Sequence, residues 1–266
     1  MSDPRAVLSA VAGGYLHNPV RAKWVTCADC LTPVNPAYKR CFACDGHRGR
    51  AGLAGPIAFL TYAIAGQESG HLMRGYKAPR PVTEHRQVVG LLLRIALAGH
   101  ATCAGIVAGH PVTHWAAIPS LPGRPGEHPL RSLVLGRAPG TEVTLQAAAR
   151  AEQPRAVNPG HFTCGDSLDA GAHVLLIDDT WTTGGHARSA ALALRQAGAA
   201  RVSALIVARW LTDDYQDTRQ FLADLRKRDY DPTMCPWTSA RCPAPAGDGP
   251  PAGTTLDETA DRSGQR

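Results

Sequence analysis

Apolar positions along the chain fall into runs that switch between strand-like and helix-like spacing. Ala58 to Ala65 (AFLTYAIA) is a short apolar run of β-compatible residues, and Glu68 to Lys77 has the mixed pattern of a helix turning away from it. Val88 to Leu97 (VVGLLLRIAL) predicts a strongly apolar helix despite Gly90. His114 to Ile118 predicts a second strand that ends at Pro119, followed by the Pro- and Gly-rich loop LPGRPGEHP and a short helix near Leu130 to Leu135. The clearest unit starts at His173. HVLLIDD is an unbroken β-type run ending in two acids, TWTTGGH is a loop of hydroxyls and glycines, and Ala187 to Ala197 puts Ala190, Leu194 and Ala197 on one helical face. Gly198 is a natural helix stop, and Val202 to Val207 (VSALIV) is another apolar strand. Strand, loop, helix and strand in that order form a βαβ crossover, so the expected class is α/β with a parallel sheet. Asp214 to Arg228 has the spacing of a last amphipathic helix, and from about Pro243 the Pro- and Gly-rich chain predicts a disordered tail.

Length and composition narrow this picture. At roughly 150 residues per domain, 266 residues make one large domain or an ordinary one with a small satellite. The 44% hydrophobic and 19% charged composition excludes a wholly disordered chain. No run approaches the ~18 apolar residues of a spanning helix, and the start, MSDPRAVLSA, has neither a basic n-region nor an apolar h-region. An unprocessed cytoplasmic protein without a membrane span is the expectation. The formal charge of +6 favours anionic partners without separating nucleic acid from phosphorylated small molecules. No block of basic residues occurs, and aromatics make up only 6%, so DNA contact is weakly supported.

Four of the eight cysteines sharpen the reading, because CADCLTPVNPAYKRCFAC places Cys27, Cys30, Cys41 and Cys44 in one 18-residue stretch. Two C-x-x-C knuckles can present four thiolates to one ion at Zn–S distances of about 2.3 Å. Pro33, Asn35 and Pro36 make the intervening loop turn-rich. Such a ribbon, about residues 24–48, is too short to bury its own core, so metal must supply its folding energy. The alternative is a pair of redox motifs. Zinc on four thiolates also lowers the basic excess by two charges. Cys103 and Cys164 read as small buried hydrophobes, and Cys235 and Cys242, with six residues between them and no partner His, carry no assigned role.

The loop after HVLLIDD carries the chemistry. A loop that leaves the carboxyl end of a parallel strand and enters a helix offers free backbone N–H groups backed by the helix dipole, which suits a phosphate. Gly184 and Gly185 allow close approach, and Thr182 and Thr183 add hydroxyls. Asp178 and Asp179 would repel a phosphate, so they should face a hydroxylated part of the ligand, for which a ribose diol fits. The loop is neither a Walker loop nor a Rossmann fingerprint. The plain alternative is a solvated strand end with a Thr N-cap.

VLLIDDTWTTGGHARSAALALRQAGA resembles the signature of type I phosphoribosyltransferases. The cysteine ribbon, YAIAGQESGHLMRGYK, the strand ending IPS before an Arg/Gly segment, and RAVNPGHF ahead of the signature are similar in order and spacing to ComF-like proteins, over roughly residues 20–210. The resemblance implies a parallel-sheet phosphoribosyltransferase fold with an N-terminal zinc ribbon: an N-terminal segment over 1–50, the transferase domain over 51–230 and a C-terminal segment over 231–266. By the same resemblance Asp178 and Asp179 would hold the ribose hydroxyls of phosphoribosyl pyrophosphate. Thr180 and Trp181 belong to the same binding segment, and Thr182, Thr183, Gly184, Gly185 and His186 would hold the 5′-phosphate. Ile118, Pro119 and Ser120 match the pyrophosphate loop, and Arg124 the basic residue beyond it. Magnesium would bridge pyrophosphate and ribose oxygens. The implied activity is pentosyl transfer, in which a nitrogen nucleophile displaces pyrophosphate at C1′. The alternative is a non-catalytic accessory protein of DNA uptake (competence) that docks a DNA-processing partner through the ribbon. His186 departs from the family's hydroxyl residue, and Thr182 stands where purine-salvage relatives carry a carboxylate, so purine salvage is not expected. Lys77 matches the ComF-like pattern but reads equally as a solvated lysine at a helix end. His110, His114, His128 and His161 receive no role.

Overall fold

The computed structural model describes residues 2–47, 55–121, 128–150, 153–214 and 216–245. In chain order the elements are α1 (Pro4–Ala12), α2 (Phe42–Gly46), β1 (Ile57–Ile64), α3 (Glu68–Gly75), α4 (Thr83–Gly99), α5 (Ala101–Ala108), β2 (His114–Ala117), α6 (Pro129–Val134), β3 (Thr141–Glu142), β4 (Leu145–Ala147), β5 (Phe162–Cys164), β6 (His173–Trp181), α7 (Gly185–Gln196), β7 (Arg201–Leu211) and α8 (Gln216–Leu225). Five strands form one sheet in the order β1-β7-β6-β2-β3, every pairing parallel. β4 and β5 form a separate antiparallel pair. The α/β class and the crossover from β6 through α7 to β7 are as expected from the pattern.

Alternation along β6 sends side chains to two cores. Leu175 and Ile177 face one, with Leu8 and Ala12 of α1 and Val89, Leu92 and Leu93 of α4. Val174 and Leu176 face the other, with Ala187, Ala190 and Leu194 of α7. β6 lies at the centre of the sheet and its carboxyl end carries the acids.

The structure revises several expectations. Thr180 and Trp181 are the last two residues of β6 and pair with Ala208 and Arg209, so they are strand and not loop. The cause is Trp181, which is buried and packs edge-on against Phe59 at 5.8 Å between ring centroids. α1 was not expected, although Asp3 caps it by accepting the Arg5 N–H and Pro4 opens it. α5 was not expected either, and it follows α4 across a bend of 57°. The cysteine cluster packs into the body: Cys27, Cys30, Leu31, Val34 and Cys44 share the α7-side core with Phe59 and Trp181. Ahead of the tail expected from about Pro243, Cys235 and Trp237 are buried in the α4-side core. The expected tail beyond residue 245 lies outside the described residues. No single helix among the described residues is long and apolar enough to cross a membrane; α4 and α5 reach that hydropathy only as a bent pair, and seven α4 residues are buried against the protein.

Candidate functional site

The N-terminus of α7 is open. Gly184, its N-cap, offers no side chain to accept a hydrogen bond and no acid occupies the first turn, so no side chain caps the positive end of the helix. A cavity of about 90 Å³ lies there, lined by Arg155, Asp178, Thr180, Thr182, Thr183, Gly184, Gly185, His186 and Ala187. The Thr180 hydroxyl is buried without a hydrogen-bond partner among the described residues, an orphan a ligand or water must satisfy.

Both glycines are demanded by the chain itself. Gly184 has φ +82°, and a Cβ there would stand 2.2 Å from the Trp181 ring and 2.7 Å from Arg188 Nη1. A Cβ on Gly185 would stand 2.1 Å from the Arg155 carbonyl oxygen. The close approach read from the sequence is thus first an approach of the chain to itself, and it brings Arg155 to the cavity. Arg155 lies in the RAVNPGHF segment but received no role, because a lone arginine 23 residues before the acids gives no spacing signal.

The acids separate. Strand alternation turns Asp178 to the α7 side and into the cavity. Its Oδ1 accepts the Asp179 N–H at 2.8 Å, and its other oxygen has no hydrogen bond to a described residue. Burial, then the neighbouring Asp179 charge, pushes its carboxyl up to about 7. Asp179 points to the opposite side, where its Oδ2 accepts from the Tyr76 hydroxyl at 2.6 Å, Lys77 Nζ at 2.6 Å and His128 Nε2 at 3.1 Å. Burial raises Asp179, but the His128 hydrogen bond and the Lys77 charge outweigh it and hold the carboxyl well below the usual range. Lys77 is therefore an ion-pair partner and not a solvated helix end, and His128 gains a position at the site. His186 is lowered from its ordinary value by burial and then by His161, which disfavours the imidazolium in the free protein.

Ile118 is buried and donates its N–H to the Ile177 carbonyl at 3.0 Å, so the Ile118–Ser120 segment leaves β2 beside the acids; Pro119 and Ser120 are half-buried. This segment does not line the cavity at the α7 terminus. Arg124 lies outside the described residues.

The sulfur atoms of Cys27, Cys30, Cys41 and Cys44 lie within 4.8 Å of one another, with Cys30 and Cys41 at 3.7 Å. A tetrahedral site with Zn–S bonds of about 2.3 Å has S···S edges of about 3.8 Å, so the group fits zinc. Two buried arginines join this cluster to the loop and to the end of β6. Arg188 donates through Nη2 to Cys44 Sγ at 3.3 Å and through Nη1 to the Thr183 carbonyl at 3.0 Å, and its guanidinium lies 5.0 Å from the Trp181 ring centroid. Arg209 donates through Nε to the Cys30 carbonyl at 2.9 Å and through Nη1 to the Trp181 carbonyl at 2.9 Å. A cation beside thiolates is the sulfur counterpart of the partners that orient metal ligands elsewhere.

No protein-family model matches the chain, and no curated protein matches it. Among solved structures, a hypoxanthine phosphoribosyltransferase from Staphylococcus aureus is similar over 48% of this chain and 74% of that one, at 12% identity and a TM-score of 0.31. At that score the likeness adds nothing to the topology already described.

Proposed function

We propose that this protein binds phosphoribosyl pyrophosphate at the carboxyl end of β6 and transfers its phosphoribosyl group to a nitrogen acceptor, releasing pyrophosphate. One observation carries the reading: a single cavity joins the open α7 N-terminus, the Thr182 and Thr183 hydroxyls, the orphaned Thr180 hydroxyl and the Asp178 carboxylate. Anion donors lie at one end and a carboxylate at the other, as a ribose 5-phosphate requires.

In this reading the Thr182–Gly185 backbone and the threonine hydroxyls hold the 5′-phosphate, with His186 and Arg155 at its edge. Asp178 accepts a hydrogen bond from a ribose hydroxyl and steadies positive charge as it grows at C1′. Asp179, held by Tyr76, Lys77 and His128, fixes the strand end and places two basic side chains next to the departing pyrophosphate. Asp178 is the carboxylate that would hold magnesium together with the ligand's own oxygens, and the ion would supply charge neutralisation for the leaving group. Catalysis is by position and charge, with no protein nucleophile.

Crystals soaked with phosphoribosyl pyrophosphate and magnesium test this, together with pyrophosphate release across a panel of amines. Density for the 5′-phosphate at Thr182–Gly185 and acceptor-dependent release are expected. Density elsewhere, or none, refutes the assignment.

The accessory reading draws on a different observation: Trp24, Val25, Tyr38 and Phe42 are exposed around the cysteine cluster, Phe42 almost completely at 97%. Because the ribbon shares the core, its removal is not a clean test. Trp24→Ser, Tyr38→Ser and Phe42→Ser together should leave metal content intact and abolish salt-sensitive retention on DNA or on a DNA-processing protein. Unchanged retention counts against that role.

A further inference from the structure

A second cluster of metal-ligating side chains lies away from the loop and from the first four cysteines. His100 stands in the bend between α4 and α5, Cys103 in the first turn of α5, and Cys235 and Cys242 in the C-terminal segment. One ligand atom from each lies within 4.8 Å of all the others. His100 Nδ1 and Cys242 Sγ, 142 residues apart in sequence, are separated by 3.3 Å. Zinc with Zn–N near 2.1 Å and Zn–S near 2.3 Å places a tetrahedral N···S pair at about 3.6 Å, so the pair is already at coordination spacing.

The backbone prepares both halves. His100-x-x-Cys103 places two ligands on one side of the first turn of α5, the spacing of a metal knuckle. In the C-terminal segment the Cys235 N–H donates to the Ala240 carbonyl at 2.9 Å, an antiparallel bridge, and Ser239 has φ +56°. That turn doubles the chain back and returns Cys242 toward Cys235. His100, Cys103 and Cys235 are each 3% exposed or less, beside Ala96 and Leu97 of α4. Two thiols and the imidazole are buried and the exposed Cys242 thiol closes the group from the solvent side, and none of the cysteines is in a disulfide.

We propose that His100, Cys103, Cys235 and Cys242 form a second zinc site, of Cys3His type, that fastens the C-terminal segment to the bend between α4 and α5. Four protein ligands close the coordination shell, which makes the site structural. Metal binding then contributes folding energy to a segment whose strand pairing, among the described residues, is one isolated bridge.

Elemental analysis of the full-length protein tests this, with Cys242→Ser as the main variant because Cys242 is exposed and its replacement leaves the core filled. Two zinc ions per chain are expected in the unaltered protein and one in Cys242→Ser. Cys27→Ser with Cys30→Ser should lose the other ion and keep this one, which separates the two sites. X-ray absorption at the zinc edge of the unaltered protein gives a reading independent of any variant: sulfur and nitrogen ligands are expected together. Zinc content unchanged by Cys242→Ser, a sulfur-only shell, or a Cys235–Cys242 disulfide in the purified protein would overturn the proposal.

Discussion

Asp178 and Asp179 are adjacent and chemically identical, yet the fold gives them opposite protonation behaviour. The Asp178 carboxyl is raised from 3.8 to about 7, so the native state holds a proton that the unfolded chain releases across that interval. Its effect on stability is therefore unfavourable as pH rises from about 4 to 7, and the loss persists above 7. Asp178→Asn keeps the shape without the charge: the melting temperature should rise at pH 8, and the gain should vanish near pH 4. An equal gain at both pH values would contradict the assignment. Gly185→Ala should destabilise by about 1–3 kcal/mol in denaturant titration, because a methyl group meets the Arg155 carbonyl and the backbone must shift. The acids, threonines and glycines were legible because they are contiguous. The partners of Asp179 were not, since Tyr76 and Lys77 stand 103 and 102 residues away and no local spacing links them.

The central device at the scale of elements is the junction of β6 and α7, held from behind by the cysteine cluster through Arg188 and Arg209. Arg188→Gln removes the charge that faces Cys44 and the donor to the Thr183 carbonyl. Competition with a chromophoric chelator should show zinc affinity at the first cluster falling about 10- to 100-fold, the range for partners of metal ligands. Affinity for phosphoribosyl pyrophosphate should fall with it, and zinc affinity equal to that of the unaltered protein would show that the contact to Cys44 carries no weight. β6, α7 and β7 were readable because each has a strong period and clear stops. α5 was missed because ATCAGIVA is short, small and nearly uniform in polarity. β3 was missed because its two residues are strand only through their pairing with β2.

Across the whole molecule, α1 and the 231–245 segment are both built into the body. α1 covers α4, the cysteine ribbon closes the α7-side core, and the 231–245 segment reaches the α4–α5 bend. An expected division into ribbon, domain and tail follows changes of composition along the chain, whereas burial depends on what the sheet leaves uncovered. His100, Cys103, Cys235 and Cys242 illustrate the difference: two unremarkable pairs in sequence become one cluster once α5 folds back beneath the C-terminal turn. The proposed function requires the cavity at the α7 N-terminus to take a phosphoribosyl ligand. Calorimetric titration of the full chain with phosphoribosyl pyrophosphate and magnesium tests it most directly, alongside Asp178→Asn. Saturable binding at one site per chain is expected, weakened at least tenfold, about 1.4 kcal/mol, in the variant. No heat from the unaltered protein, or equal affinity in Asp178→Asn, would contradict it.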